Sequence, residues 1–426
     1  MSGGGAVVQS GERMPRAEVV ALTRRLVAID ATNPSLVPGG TGERELAEVI
    51  VAWLDDHGFD VRLIGADPAR PSVLARRRGT GGGRTLLLAG HLDTVGGAGS
   101  GAAGAGGVDG SRSDAPGSSA SDADAIGARI VGRGAYDMAG GLAAAMVAAA
   151  EAPADLAGDL VLAFAADEEF GSVGMEELLA AIDAEAEAPA DRWPRPDAAV
   201  VLEPTDLEVT LAHRGFAWYR VEYEGVAAHG SQPELGVDAI DHALDGLVAL
   251  RALATEIEAR PRHPLLGAGS VRVATIEGGT DAATVADRCV LGVERRTLPG
   301  EPDPAAELAR VLAPSQPARI VTLVARPAME ADADSPIARA VLAAVERATG
   351  APPVRRGDPW WTDAGLIAEA GIDVVLVGAT GGGAHADEEW VSVESLGTLV
   401  DALDDVIRAI CAENDENGWQ DGRSRP

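Results

Sequence analysis

The sequence predicts an α/β protein: a large domain with a mostly parallel central sheet, into which a smaller α+β unit is inserted. Three observations carry this. Short apolar runs suited to buried strands alternate with Ala-rich stretches of helical character. Chemically active residues stand at the ends of those runs, not within them. Between about 211 and 326 the expected order becomes strand-helix-strand-strand-helix-strand, the pattern of a compact α+β unit. A length of 426 residues exceeds one ordinary core, so two domains are expected, the larger built from 1–210 and 327–426 and the smaller from 211–326. A hydrophobic content of 46% excludes wholesale disorder, while only 3% aromatics leaves burial to Val, Leu, Ile and Ala.

Taken in order, residues 15–29 and 41–57 have helical periodicity, the second stretch stopped by Gly58. Strands follow at 60–64 and 72–76, and an apolar run at 85–90 leads into His91-Leu92-Asp93. From 96 to 128 the composition collapses into Gly, Ala, Ser and Asp, with no period of either kind. This reads as a flexible insertion and not a phosphate-cradling loop, because no strand-to-helix turn frames it. Gly132-Arg-Gly-Ala-Tyr-Asp137 then opens a helix that reaches about Glu151. Strands at 159–166 and 198–202 end in Asp167-Glu168-Glu169 and in Glu203-Pro204-Thr205, and a strand at 373–378 runs into glycines and then His385. In the inserted unit a strand at 217–223 precedes His229, a helix spans 237–260, strands span 270–277 and 288–296, and a helix at 304–312 precedes a last strand. Ligands of open α/β sheets bind beyond the carboxyl ends of the strands, where His91, Glu168, Glu169, Glu203 and His385 all stand.

The formal net charge is −31, and all 35 basic residues are arginine, which makes nucleic acid and anionic membranes poor partners. Cys289 and Cys411 are isolated, as suits a reducing compartment. The first residues lack the charged and apolar regions of a signal peptide, and no apolar run approaches the roughly 20 residues that span a bilayer. A cytoplasmic protein is expected.

His91, Asp137, Glu169, Glu203 and His385 offer imidazole and carboxylate without thiolate. That donor set suits zinc, cobalt or manganese and is too large for one tetrahedral ion. Two ions sharing a carboxylate would use all five residues. Asp93, two residues beyond His91 and on the same side of an extended chain, is placed to hold the second ring nitrogen. Glu168, beside Glu169 on a turn, faces elsewhere and can serve as general base. A divalent ion lowers the pKa of bound water to about 7 and polarises a carbonyl, which suits hydrolysis of an amide.

His91-Leu-Asp93-Thr, Gly132-Arg-Gly-Ala-Tyr-Asp137-Met, Asp167-Glu-Glu169-Phe-Gly, Glu203-Pro-Thr and the His385 segment with Asp387-Glu-Glu-Trp-Val together resemble one family. It is the acetylornithine deacetylase, succinyl-diaminopimelate desuccinylase and carboxypeptidase G family of di-zinc hydrolases, and the resemblance runs from about Pro15 to Ala412 without the low-complexity insertion. It implies a zinc-peptidase-like catalytic domain with an inserted lid that also dimerises many members, and two Zn2+ per chain. By position, His91 and Glu203 would hold one zinc, Glu169 and His385 the other, with Asp137 bridging, Asp93 orienting His91 and Glu168 activating the water. His229 matches a histidine that stabilises the oxyanion, and Arg296, in Arg-Thr-Leu-Pro, matches an arginine that binds the substrate carboxylate. Two positions depart from the pattern: Ala139 where lysine is usual, and Ala283 where many members place a substrate-contacting asparagine. Trp360-Trp361 replaces glycines of the carboxypeptidase branch, and a bulky wall there would suit a small substrate. The implied activity is hydrolysis of a small N-acyl amino acid by a homodimer. The alternatives are a dipeptidase or carboxypeptidase G-like enzyme, and a catalytically silent binding protein on the same fold.

Overall fold

The computed structural model describes residues 17–97, 128–187 and 193–412, so nearly all of the stretch expected to be a flexible insertion lies outside the described residues. Helices α1 (Ala17–Val27) and α2 (Arg44–Asp56) lead to β1 (Asp60–Ile64), β2 (Ser72–Arg77), β3 (Leu86–His91) and β4 (Arg129–Val131). A π-helical turn at Ala135–Ala139 opens α3 (Gly140–Glu151), followed by β5 (Leu160–Ala165), α4 (Val173–Glu187), β6 (Ala198–Val201) and β7 (Val209–His213). The inserted unit comprises β8 (Gly215–Glu224), α5 (Ala239–Glu258), β9 (Ser270–Gly278), β10 (Arg288–Thr297), α6 (Pro304–Leu312) and β11 (Arg319–Arg326). The chain returns through β12 (Met329–Glu330), α7 (Pro336–Thr349), β13 (Arg355–Asp358), α8 (Ala364–Glu369), β14 (Asp373–Leu376), β15 (Gly381–Gly382), β16 (Trp390–Ser392) and α9 (Val393–Ile410).

Every residue of β3 and of β5 is buried, because both faces of these strands are covered and a continuous apolar run is what such a strand needs. The large sheet has the order β1-β2-β5-β3-β6-β14-β7-β12, with β13 also pairing β7. At its centre β5, β3, β6 and β14 are parallel neighbours, while β1, β2, β7 and β12 add antiparallel pairs outside them. Residues of α1, α3, α7 and α9 form the core on one face, and residues of α4 and α8 form it on the other. Helix α3 is buried on nearly all sides, which explains its Ala-rich and almost uncharged sequence. The consequence for function is positional: four parallel strands end side by side.

The smaller sheet is antiparallel in the order β11-β8-β10-β9, and Tyr219, Tyr223 and Leu291 of its strands pack with Leu250 of α5 and Leu312 of α6. Asp238 caps α5 through the Ile240 N–H, and Asp303 caps α6, whose first residue is Pro304. The large sheet keeps β7, so the smaller one begins at Gly215, a few residues past the expected junction at 211. Only Arg214 separates the two strands, and both are apolar enough that no break marks the change of sheet.

Candidate metal centre

Each central parallel strand delivers part of one cluster. His91 ends β3, Glu168 and Glu169 follow β5, Glu203 follows β6, and the chain beyond β14 carries His385. Asp137 comes from the π-helical turn, entered through Gly134 at φ 75, a left-handed conformation that glycine adopts without penalty. Close backbone approach supports the convergence: a Cβ on Gly378, just past β14, would lie 2.0 Å from the Glu203 carbonyl oxygen.

Asp137 lies between the two histidines. His91 Nε2 is 2.9 Å from its Oδ1, and His385 Nε2 is 3.5 Å from its Oδ2. His385 Nε2 is also 3.0 Å from Glu169 Oε2, and His91 Nε2 is 4.0 Å from Glu203 Oε1. Donor atoms of His91, Asp137 and Glu169 lie within 4.8 Å of one another, as do those of His91, Glu168 and Glu203. Glu168 thus stands as close to this centre as the proposed ligands do, and reach alone does not separate its role from theirs.

Asp93 corrects the sequence expectation. His91 Nδ1 bonds the backbone carbonyl of Asp93 at 2.9 Å, while the nearest Asp93 carboxylate oxygen is 3.8 Å away. A proton on Nδ1 leaves Nε2 free to ligate, so the tautomer is set by the main chain. The carboxylate instead accepts from the backbone N–H groups of Glu168 at 3.0 Å and Glu169 at 3.1 Å, and from Asn33 Nδ2 at 2.8 Å. It therefore fixes the turn that presents both glutamates. Spacing alone placed Asp93 on the correct side, but the carbonyl reaches the ring first.

Other supports escaped the sequence reading. The buried Glu389 carboxylate accepts from the N–H groups of Gly134, Tyr136 and Asp137 at 2.9 Å each and pairs with Arg133 at 2.7 Å, holding the Asp137 turn. Its only advance signal was its place in Asp387-Glu-Glu-Trp-Val. Asp167 is held at φ 67 by Arg70 at 2.9 Å, and Ser172, at φ 56, hydrogen-bonds the buried Asp363. His385 has φ 63. Left-handed backbone at three non-glycine residues around one cluster is strain that the surroundings must hold in place.

The electrostatics fit a divalent cation among these donors. Burial, reinforced by neighbouring carboxylates, pushes Glu168 and Glu203 well above the usual carboxylic acid range. Burial also opposes ionisation of Asp137, yet hydrogen bonds from His385 and His91 hold it below that range. Hydrogen bonds to Asp137 and Glu169 raise His385 to about 10, and His91 is raised as well, because Asp137 and Glu203 outweigh its burial. The raised imidazoles show that buried carboxylates here favour positive charge beside them. Divalent ions would supply that positive charge, so the donor set fits the group its chemistry implies.

Two expected residues are not brought to this cluster. His229 is exposed in the inserted unit and bonds Ser231 through Nδ1. Arg296 pairs with Glu294 at 2.9 Å and lies over Phe216 at 5.4 Å from the ring centroid. The tryptophan pair divides: Trp361 is buried against Phe216 and bonds the Pro327 carbonyl, while Trp360 is exposed beneath Arg356.

Among known proteins, the sequence profile of peptidase family M20/M25/M40 matches residues 87–409. A probable carboxypeptidase of Aspergillus terreus is 29% identical over 282 residues, 63% of this chain and 59% of that protein. An acetylornithine deacetylase of Vibrio campbellii is 27% identical over 277 residues, 64% of this chain and 65% of that protein. These alignments thus span less than two thirds of either relative. The fold is similar to that of an M20 family metallo-carboxypeptidase from Sulfolobus solfataricus, with TM-score 0.70, 16% identity, and coverage of 93% of this chain and 100% of that one.

Proposed function

The chain belongs to peptidase family M20/M25/M40, and on that premise we propose that it is a di-zinc hydrolase of a linear amide bond in a small N-acyl amino acid. The substrate would be of the acetylornithine or succinyl-diaminopimelate type. One observation carries the reading: a single carboxylate, Asp137, offers one oxygen toward His91 and the other toward His385. In this reading His91 and Glu203 hold one ion, Glu169 and His385 the other, and Asp137 is shared; cobalt or manganese would suit the same donors. Bound ions would supply Lewis acidity at the scissile carbonyl. Glu168 takes a proton from the attacking water and returns it to the leaving nitrogen. Its buried position favours holding that proton between the two transfers. The Asp93 carboxylate keeps Glu168 on station through the turn's N–H groups.

His229 would donate to the developing oxyanion and Arg296 would take the substrate carboxylate, so both must be brought to the centre from outside the present contacts. A second copy of the chain would do this for His229. Support for a homodimer comes from an exposed apolar strip, Ile240, Leu244 and Val248 at four-residue spacing on α5, together with Ile276 on the edge strand β9. Free, buried Cys289 and Cys411 support a reducing, cytoplasmic setting. No helix among the described residues is long and apolar enough to cross a membrane.

The probable carboxypeptidase among the relatives favours a second reading, the same chemistry on a dipeptide or a C-terminal peptide bond. Assay of zinc- and cobalt-loaded protein on N-acetyl amino acids, N-succinyl amino acids and dipeptides separates the two. Turnover of the acyl substrates is expected to dominate; a preference for dipeptides overturns the first reading, and no turnover of any of them overturns both in favour of a silent binding protein.

A further inference from the structure

A cavity of about 440 Å³ lies where the inserted unit meets the large domain, and no residue of the metal centre lines it. Tyr219 on β8 and Thr322 on β11 reach it from one side, and Glu176 on α4 with Leu366 and Glu369 on α8 reach it from the other. Much of the remaining wall is apolar, including Phe216, Leu298, Pro299, Pro302 and Pro327. Its charge is one-sided: Glu176, Glu301, Asp303 and Glu369 face a single cation, Arg326. Arg326 is already committed, to the Gly171 carbonyl and to Glu176 at 3.0 Å, and Glu301 is committed to Arg295 at 2.9 Å. The Asp303 carboxylate makes only its helix cap at Ala305, and the Glu369 carboxylate makes no hydrogen bond or ion pair among the described residues.

A second observation is independent of these acids. Tyr219 is 1% exposed, and its hydroxyl has no hydrogen-bond partner. Native interiors rarely leave a buried hydroxyl unsatisfied, and the residue that carries this one lines the cavity, which points to an occupant. Burial and the nearby Asp303 charge push this phenol up to about 12, so it stays neutral and can accept a hydrogen bond from a cation. Among the described residues, the groups of three donors close enough to hold a metal ion include His91 in every case, so this wall is not built for an inorganic ion.

We infer that this cavity is a second binding site, for a small aliphatic amine. Its hydrocarbon body would pack on the proline-rich wall, and its ammonium groups would face Asp303 and Glu369 and donate to the Tyr219 hydroxyl. Both units line the site, and Arg326 ties the last strand of the inserted unit to Gly171, two residues past Glu169. Occupancy therefore bears on the angle between the units and on the turn that carries Glu168 and Glu169.

Calorimetric titration of the metal-loaded full chain with 1,5-diaminopentane tests this, with 1,5-pentanediol and glutarate as uncharged and anionic controls of equal length. One saturable site per chain is expected for the diamine, with binding at least about 10-fold weaker in Tyr219→Phe and in Glu369→Gln and unchanged in Glu168→Gln; a loss of this size matches removal of a hydrogen bond to a charged group. Both controls should bind at least about 10-fold more weakly, as the acidic wall requires. No saturable binding, equal affinity for the diol, full affinity in both site variants, or loss of binding in Glu168→Gln would each overturn the site. Tyr219→Phe removes an unpaired hydroxyl and should fold; if it does not, Glu369→Gln, an exposed residue at the end of α8, decides. Saturation should also change kcat/KM over the same concentration range, and constant kcat/KM overturns the link to the catalytic turn.

Discussion

At the carboxyl ends of β3, β5, β6 and β14, His91, Glu168, Glu169 and Glu203 meet Asp137 and His385 within one chain. In the inserted unit His229 is spent on Ser231 and Arg296 on Glu294, with no contact to that cluster. The difference follows from what holds each region. Adjacent parallel strands buried on both faces fix their ends rigidly, whereas the inserted unit is built around a small core of its own and meets the large domain through Phe216, Trp218, Val324 and Arg326. One half of the proposed site is assembled by folding; the other must be completed by movement or by a second copy.

The comparison breaks first at Glu168. Glu168→Gln should lower hydrolysis by roughly 10² to 10⁴-fold while keeping the metal, the usual cost of losing a general base. Because Glu168 lies as close to His91 and Glu203 as a ligand would, loss of metal in this variant would move it into the donor set.

On the other side, His229→Ala should lower kcat by roughly 10² to 10³-fold, the cost of one oxyanion donor, with metal content intact. Mixing His229→Ala with Glu168→Gln subunits then asks where the histidine acts. Recovery of activity after demonstrated subunit exchange means that one chain serves the other's centre; continued inactivity means that His229 acts within its own chain or not at all.

A smaller effect is expected from the support beneath Asp137. Glu389→Gln keeps the shape but loses the charge that pairs with Arg133 and draws three N–H groups together, so metal affinity should fall by about 10 to 100-fold, measured by competition with a chelator. Unchanged affinity would show that the turn holds itself.

The smallest effect lies at the junction of the two regions, in His213 at the end of β7. Burial pulls this imidazole down to about 4, and its Nε2 has no partner. Between that value and the ordinary 6.5 the unfolded chain binds a proton that the folded one excludes, so stability falls as pH falls. From pH 7 to 5.5 this amounts to about 1 kcal/mol. Urea unfolding at the two pH values should show that loss reduced in His213→Asn, and an equal loss in both proteins would place the acid sensitivity elsewhere.

What the sequence made legible follows the same division. His91, Glu168, Glu169 and Glu203 could be found because they end or closely follow runs of four to six buried residues, while Asp137 and His385, which follow no such run directly, were legible only through their motifs. The order of the inserted unit was legible from periodicity and from the Asp303-Pro304 helix start. Glu389 and Asn33 were not, because their partners lie 252 and 60 residues away and no local pattern encodes such a contact. The two-residue strands β12 and β15 are too short to carry a period. For His229 the chain itself holds no answer, since the group it would serve is not among its contacts.

The most direct test of the metal centre is the metal content of zinc-reconstituted protein, read beside hydrolysis in wild type and in Asp137→Ala. Saturation at about two ions per chain, with both ions and hydrolysis lost together when the shared carboxylate is removed, is the result expected of a bridged pair. Hydrolysis that survives complete chelation, or full metal binding in Asp137→Ala, would contradict it.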